Sequence, residues 1–194
     1  MVDFTRPNAV FKNVMTALEK KVSPVVGTTG LDDVAKEKIR DATEKFQTPA
    51  FIAPNFAIGA VLMMLLAKQA AKYMPDVEII ELHHDKKLDA PSGTAELTAK
   101  MISEVRNAHK QGHPDEVERL ANVRGADYEG IHIHSVRLPG YVAHQEVIFG
   151  GLGQTLTIRH DSTGRDSFMP GVLLACKKVR TLSGLTIGLD KLMD

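Results

Sequence analysis

Three short apolar runs, VDFT at residues 2–5, SPVVG at 23–27 and PAFIAP at 49–54, alternate with two amphipathic stretches, and this alternation constrains the fold more than any other feature. Between the first two runs, Val10, Phe11, Val14, Met15 and Leu18 recur at the spacing of one helix face, which predicts a helix over residues 8–21. Residues 31–46 predict a second amphipathic helix. Strand, helix, strand, helix, strand implies a parallel sheet with crossover helices. Ligands of such sheets bind beyond the carboxyl ends of the strands. Thr5, the GTTG turn that begins at Gly27, and the stretch from Ala53 to Phe56 all fall there.

The remainder changes period. Residues 55–74 predict a long helix, 76–82 (DVEIIEL) a strand, and 94–107 a helix with Leu97, Met101 and Val105 four apart. Residues 108–130 are polar and read as a long loop. From Ile131 the alternation is twofold, and IHIHSVRL, VAHQEVIF and QTLTIRH are three candidate strands with Pro-Gly and Gly-Gly-Leu-Gly turns between them. A helix over 167–179 leads into LTIGLDKLM. The fold class expected is α/β with an added mixed or antiparallel sheet.

Charge and composition exclude several function classes. Twenty-four basic residues balance 24 acidic ones, so no net field draws the chain to nucleic acid or an anionic membrane, and any anion must be captured locally. At 194 residues and 43% hydrophobic, the chain can bury the core of one domain or two small interleaved ones. The single cysteine, Cys176, permits no intrachain disulfide and reads as a small apolar residue on a helix face in a reducing cytosol. The longest apolar stretch, 57–67, is shorter than the ~20 residues a bilayer requires. MVDFTRPNAV has neither the basic start nor the apolar core of a signal peptide, so the expectation is a soluble, cytoplasmic protein.

The chemistry concentrates in ELHHDKKLDAPSGTA, residues 81–95. Adjacent strand residues point to opposite faces, so His83 and His84 are placed for different tasks, and an imidazole exchanges protons near neutral pH. Lys87, just beyond, can donate a proton or neutralise a carboxylate in a cleft. Pro91, Ser92, Gly93 and Thr94 read as a helix start, whose outward N–H groups suit a substrate carboxylate. His132 and His134 share one strand face, and His144 and His160 follow, but there is no HExxH, no CxxC and no carboxylate at fixed spacing. These histidines therefore read as polar strand positions and no metal is expected.

The run EIIELHHDKKLDAPSGTA resembles the signature of the dihydrodipicolinate reductases, and VDFTRP, VVGTTG, APNFAIG, IHIHSVRLPGYVAHQEVIFGG and LTIRHDSTGRDSFMPGV follow the family in the same order along essentially the whole chain. The resemblance implies hydride transfer from NADH or NADPH to a small cyclic imine dicarboxylate in lysine and diaminopimelate biosynthesis. It implies that His83 gives or takes a proton, that Lys87 donates one, that His84 contacts substrate, and that Gly93 and Thr94 bind its carboxylate. Gly27, Thr28 and Thr29 match one cofactor-contacting turn, and Ala53, Pro54, Asn55 and Phe56 another. The fold implied is a partial Rossmann-like parallel sheet, over residues 1–55 and 165–194, plus an α+β substrate-binding and tetramerisation domain with a mixed sheet over 56–164. Members of the family resembled are homotetramers joined through the sheet of residues 131–160.

One departure stands out. The family opens on a GxxGxxG strand–turn–helix that cradles the cofactor pyrophosphate, and this sequence shows none. Neither GTTG nor GGLG replaces it. The expectation is a chain truncated at its amino end and poorly active, and the alternative is a non-catalytic oligomeric module that keeps only the dicarboxylate site.

Overall fold

The computed structural model describes residues 1–107 and 110–193; Ala108 and His109, at the head of the expected polar loop, and Asp194 lie outside the described residues. The chain divides into two compact units, Met1–Val61 with Arg165–Asp194, and Leu62–Gly164.

In the first unit, β1 (Val2–Asp3), α1 (Pro7–Glu19), β2 (Val25–Val26), α2 (Asp33–Phe46) and β3 (Ala50–Ile52) follow the predicted alternation. Pro7 suits the first helical turn, where its missing N–H has no partner to lose, and the Asp32 side chain caps α2 by accepting from Ala35 N at 2.7 Å. Strands β1, β2 and β3 are parallel neighbours. The carboxy-terminal segment adds β9 (Leu185–Ile187) as a fourth parallel strand beside β3. Sequence periodicity could not place that strand, because three residues carry too little pattern. Val10, Val14 and Leu18 of α1 pack with Ile39 and Ala42 of α2 over Val26, Ala50, Ile52 and Leu185.

The carboxyl end of β1 is organised by one side chain. Asp3 is buried and accepts from Thr5 N at 3.0 Å, Thr5 Oγ1 at 2.9 Å, Asn13 Nδ2 at 2.8 Å and Thr28 Oγ1 at 2.7 Å. Burial pushes its carboxyl up, but the hydrogen bonds from Thr28, Asn13 and Thr5 win and hold it below the usual range. Asp3→Ala leaves the buried Thr28 hydroxyl without that acceptor and should destabilise the protein by about 2–3 kcal/mol, readable as a lower midpoint in urea unfolding.

The second unit is a mixed sheet. Its strands are β4 (Asp76–His83), β5 (Ala126–Tyr128), β6 (Ile131–Arg137), β7 (Ala143–Gly151) and β8 (Gln154–Ser162), in the order β5-β6-β4-β7-β8. Strand β4 runs parallel to β6 and antiparallel to β7. Short strand β5 lies within the stretch expected to be loop, held by antiparallel pairing of Asp127 with His132. Helix α4 (Gly93–Ser103) presents Ala95, Thr98, Ala99 and Ile102 to the core, and Gln145 of β7 donates to Thr98 Oγ1 at 2.9 Å. Alternate residues of β4, Val77, Ile79 and Glu81, are buried with Ile131, Ile133, Val147 and Phe149. A glutamate thus occupies the third position of an apolar face.

Several helices differ from the sequence reading at their ends, and α4 closes at Ser103 rather than at residue 107. α3 (Ile58–Ala70) begins three residues later than expected, because Asn55 Oδ1 accepts from Ala57 N at 2.8 Å and holds a turn there. The last α-helix, α5 (Met169–Lys178), is preceded by a tight 3₁₀ turn over Arg165–Phe168. No helix among the described residues is long and apolar enough to cross a membrane.

Candidate active site

Strand β4 delivers the polar motif at its carboxyl end, and the alternation that buries Val77 and Ile79 places Glu81 and His83 on the same face. Glu81 is wholly buried. Its Oε2 lies 2.5 Å from His83 Nδ1 and accepts from Arg137 Nη1 at 2.8 Å, while Oε1 accepts from Arg137 Nη2 at 2.7 Å and from Ser92 N at 3.2 Å. Burial raises the Glu81 carboxyl, but the bonds from His83 and Arg137 outweigh it and hold the group down at about 2. An ionised carboxylate can only accept, so His83 carries its hydrogen on Nδ1 and Nε2 is the nitrogen left to exchange a proton.

The loop after His84 folds back on the same centre. Arg137 Nη2 also donates to the Asp89 carbonyl at 2.8 Å, and Lys87 N donates to the His84 carbonyl at 3.2 Å. Lys87 Nζ meets both oxygens of Asp89 at 2.7 Å, an ammonium already shaped around a carboxylate. That ammonium holds the exposed Asp89 carboxyl below its usual range. Ser92 then caps α4 through Oγ, which accepts from Ala95 N at 3.2 Å. At Gly93 a β-carbon would meet nothing within 4 Å, so the first turn of α4 is open to close approach. The structure therefore bonds His83 and the α4 start to one buried carboxylate, and Arg137 ties the loop that carries Lys87 to the same group. The sequence reading singled out His83, Lys87 and the α4 start and missed Glu81 and Arg137. Strand parity was the available signal for Glu81, whereas Arg137 comes from a strand more than fifty residues away.

In the first unit, a cavity of about 540 Å³ is lined by Phe4, Gly27, Pro54, Asn55, Phe56, Arg165, Phe168 and Met169. Of the residues matched to cofactor contacts, Gly27, Pro54, Asn55 and Phe56 meet here. Thr28 spends its hydroxyl on Asp3, Thr29 is exposed, and Ala53 N donates to the Val26 carbonyl at 3.0 Å. Phe4 lies over Gly27, where a β-carbon would stand 2.1 Å from the ring, and its ring centroid is 5.5 Å from that of Phe56. Gly171 lets α5 touch the Phe56 carbonyl, 2.1 Å from where a β-carbon would be. These two glycines should respond differently to alanine. Gly27→Ala displaces only the half-exposed Phe4 side chain and narrows the cavity, whereas Gly171→Ala meets backbone and should lower stability by about 1–3 kcal/mol in the same unfolding assay.

Two histidines of the added sheet pair with carboxylates, whereas His132 Nδ1 is buried with no hydrogen-bond partner among the described residues. His134 Nε2 lies 2.8 Å from Glu78 Oε2, and Glu78 also accepts from Arg124 at 2.6 Å. His144 Nδ1 lies 2.5 Å from Asp161. Among the described residues no group of three or more His, Cys, Asp or Glu is arranged to hold a metal ion.

The family models named dihydrodipicolinate reductase, N-terminus, and dihydrodipicolinate reductase, C-terminus, match residues 1–56 and 59–193. The chain belongs to the dihydrodipicolinate reductase family. Over its 194 residues it is 61% identical to the 4-hydroxy-tetrahydrodipicolinate reductase of Desulfitobacterium hafniense, covering all of this chain and 73% of that one. It is 59% identical to the enzyme of the same name from Halalkalibacterium halodurans, covering 100% of this chain and 74% of that one. A dipicolinate-bound dihydrodipicolinate reductase from Paenisporosarcina sp. TG-14 superposes with a TM-score of 0.90 at 55% identity, over 98% of this chain and 72% of that chain. The chain is an oxidoreductase of lysine and diaminopimelate biosynthesis that uses NADH or NADPH. Nothing in these comparisons favours a non-catalytic module.

Proposed function

We propose that the motif at the end of β4 is the dicarboxylate site of a reductase that converts 4-hydroxy-tetrahydrodipicolinate to tetrahydrodipicolinate. The observation that carries this reading is that one buried carboxylate bonds both His83 and the open α4 start, while Arg137 ties the loop that carries Lys87 to the same group. Lys87 is the proton donor to the substrate, and His83 gives or takes a proton through Nε2. His84, Gly93 and Thr94 hold the substrate carboxylate, favoured by the positive end of α4. A helix N-terminus, an ammonium and imidazoles are the donors a small dianion requires, and those aimed at charge developing during reduction raise the rate as well as the affinity.

The bound nicotinamide supplies the hydride. Phenyl rings, the Asn55 amide and the Arg165 guanidinium suit a flat aromatic carboxamide, so the Gly27–Thr29 turn and Ala53–Phe56 are its contacts, Thr28 and Ala53 through backbone. On this reading residues 1–55 and 165–194 are the nucleotide side, and 56–164 the substrate and oligomerisation side. The protein works in the reducing cytoplasm, where a lone cysteine is stable. Following NADH and NADPH oxidation with 4-hydroxy-tetrahydrodipicolinate tests the reading: substrate-dependent oxidation that His83→Gln lowers about 10–10³-fold supports it, and an unchanged rate refutes it.

A homotetramer joined through the sheet of residues 131–160 completes the proposal. Strand β8 is a nine-residue edge, mostly exposed, with Leu156 on its surface, and such an edge calls for cover. Light scattering should give a tetramer at micromolar concentration, and a stable monomer would contradict this assembly.

A further inference from the structure

The motif's own residues do not explain why β4 buries a carboxylate in its apolar face. Glu81 is 0% exposed on the same strand face as Val77 and Ile79, and a charge there is costly unless it is fully bonded. Besides the Ser135 side chain, its two oxygens take four donors from three places in the chain. These are His83 on its own strand, both terminal nitrogens of Arg137 on β6, and the N–H of Ser92, the residue that caps α4. Register makes this possible, because β6 runs parallel to β4 and sets Arg137 directly opposite His83, with Ser135 opposite Glu81. On the other side His83 pairs with Ala143 of β7, which brings no charge. Of the charged groups of the loop, Lys87 and Asp89 are bonded to each other, and Asp85 and Lys86 are exposed.

We propose that Glu81 and Arg137 are positioning residues for catalysis: Glu81 fixes the tautomer and ring orientation of His83 while holding the start of α4, and Arg137 fixes Glu81. This rests on the reading of His83 as the residue that exchanges the proton. A free imidazole would divide between two tautomers and two ring orientations. The Glu81 carboxylate admits only Nδ1–H toward itself, so Nε2 is presented to the ligand with its orientation set in advance. Because Ser92 N binds the other oxygen of the same group, the histidine and the first turn of α4 are held in one frame. Arg137 adds the Asp89 carbonyl to that frame, and with it the loop that carries Lys87.

The test is E81Q, read by histidine ¹⁵N NMR and by steady-state kinetics, with E81D and H83Q beside it. The new amide has one carbonyl oxygen; Ser92 N can only donate to it, whereas an imidazole can turn acceptor, so the oxygen stays toward Ser92, the N–H₂ group faces His83 and the ring accepts at Nδ1. The His83 resonance, assigned by its loss in H83Q, should change from the Nδ1–H to the Nε2–H form. In the reductase kcat should fall on the order of 10–10²-fold with KM for NADH changed less than about threefold, and E81D should recover part of kcat and the Nδ1–H form. Should E81Q not fold with Arg137 left unpaired, E81Q/R137M removes both charges and is read in its place. An unchanged tautomer with kcat within about twofold of wild type overturns the proposal while leaving the role of His83 intact. Full kcat in H83Q overturns both.

Discussion

Replacing Lys87 by alanine in the active reductase should lower kcat by about two to four orders of magnitude while changing NADH affinity little. The ammonium sits on the loop between β4 and α4, 2.7 Å from both oxygens of Asp89. Asp89 is exposed and its partner can be exchanged, so a substrate carboxylate or a developing anion can take its place against Lys87. None of the residues around the Phe4–Phe56 cavity is Lys87, which is why cofactor affinity is the control. A substitution that raises only KM for the imine would assign Lys87 to binding and remove it from proton donation.

The largest effect on stability should come from Arg137→Ala. Both terminal nitrogens of the guanidinium bond a wholly buried carboxylate, and removing one member of a buried pair costs about 3–5 kcal/mol because the other charge is left uncompensated. The pH dependence follows from the same pair. The Glu81 carboxyl is depressed from a reference of 4.5 to about 2 in the folded protein, so its contribution is present above pH 4.5 and is lost as pH falls toward 2. That contribution is on the order of 3 kcal/mol for wild type. Without Arg137 the depression shrinks, and acid unfolding should begin at higher pH than in wild type. Denaturant melts at neutral pH and at pH 3 check both statements, and equal loss at both pH values would mean that the pair contributes no linkage.

Much of the architecture was legible in the sequence because it is periodic. The helical spacing in residues 8–21 and 31–46 and the twofold alternation after Ile131 both correspond to elements of the fold. What escaped was short or non-local. Strands β5 and β9 have three residues each and exist because β6 and β3 offer them hydrogen bonds. The polar motif drew attention through its composition, but its organising carboxylate did not, since a glutamate within EIIEL looks like the outward half of an alternating strand. Counting parity from Val77 would have placed Glu81 inward. Arg137 carried no local signal, and only the register between β4 and β6 brings it opposite His83. Thr28 shows the converse: its position in the GTTG turn suggests ligand contact, yet the hydroxyl belongs to the Asp3 network.

Calorimetric titration of the protein with pyridine-2,6-dicarboxylate, repeated on Lys87→Ala, tests the site most directly. A planar dianion should bind saturably to the wild type, and loss of one charge-assisted contact at about 1.5–3 kcal/mol should weaken it roughly 10- to 100-fold in Lys87→Ala. Equal affinity in the two proteins, or no saturable binding to the wild type, would contradict the assignment of the β4–α4 loop as the dicarboxylate site.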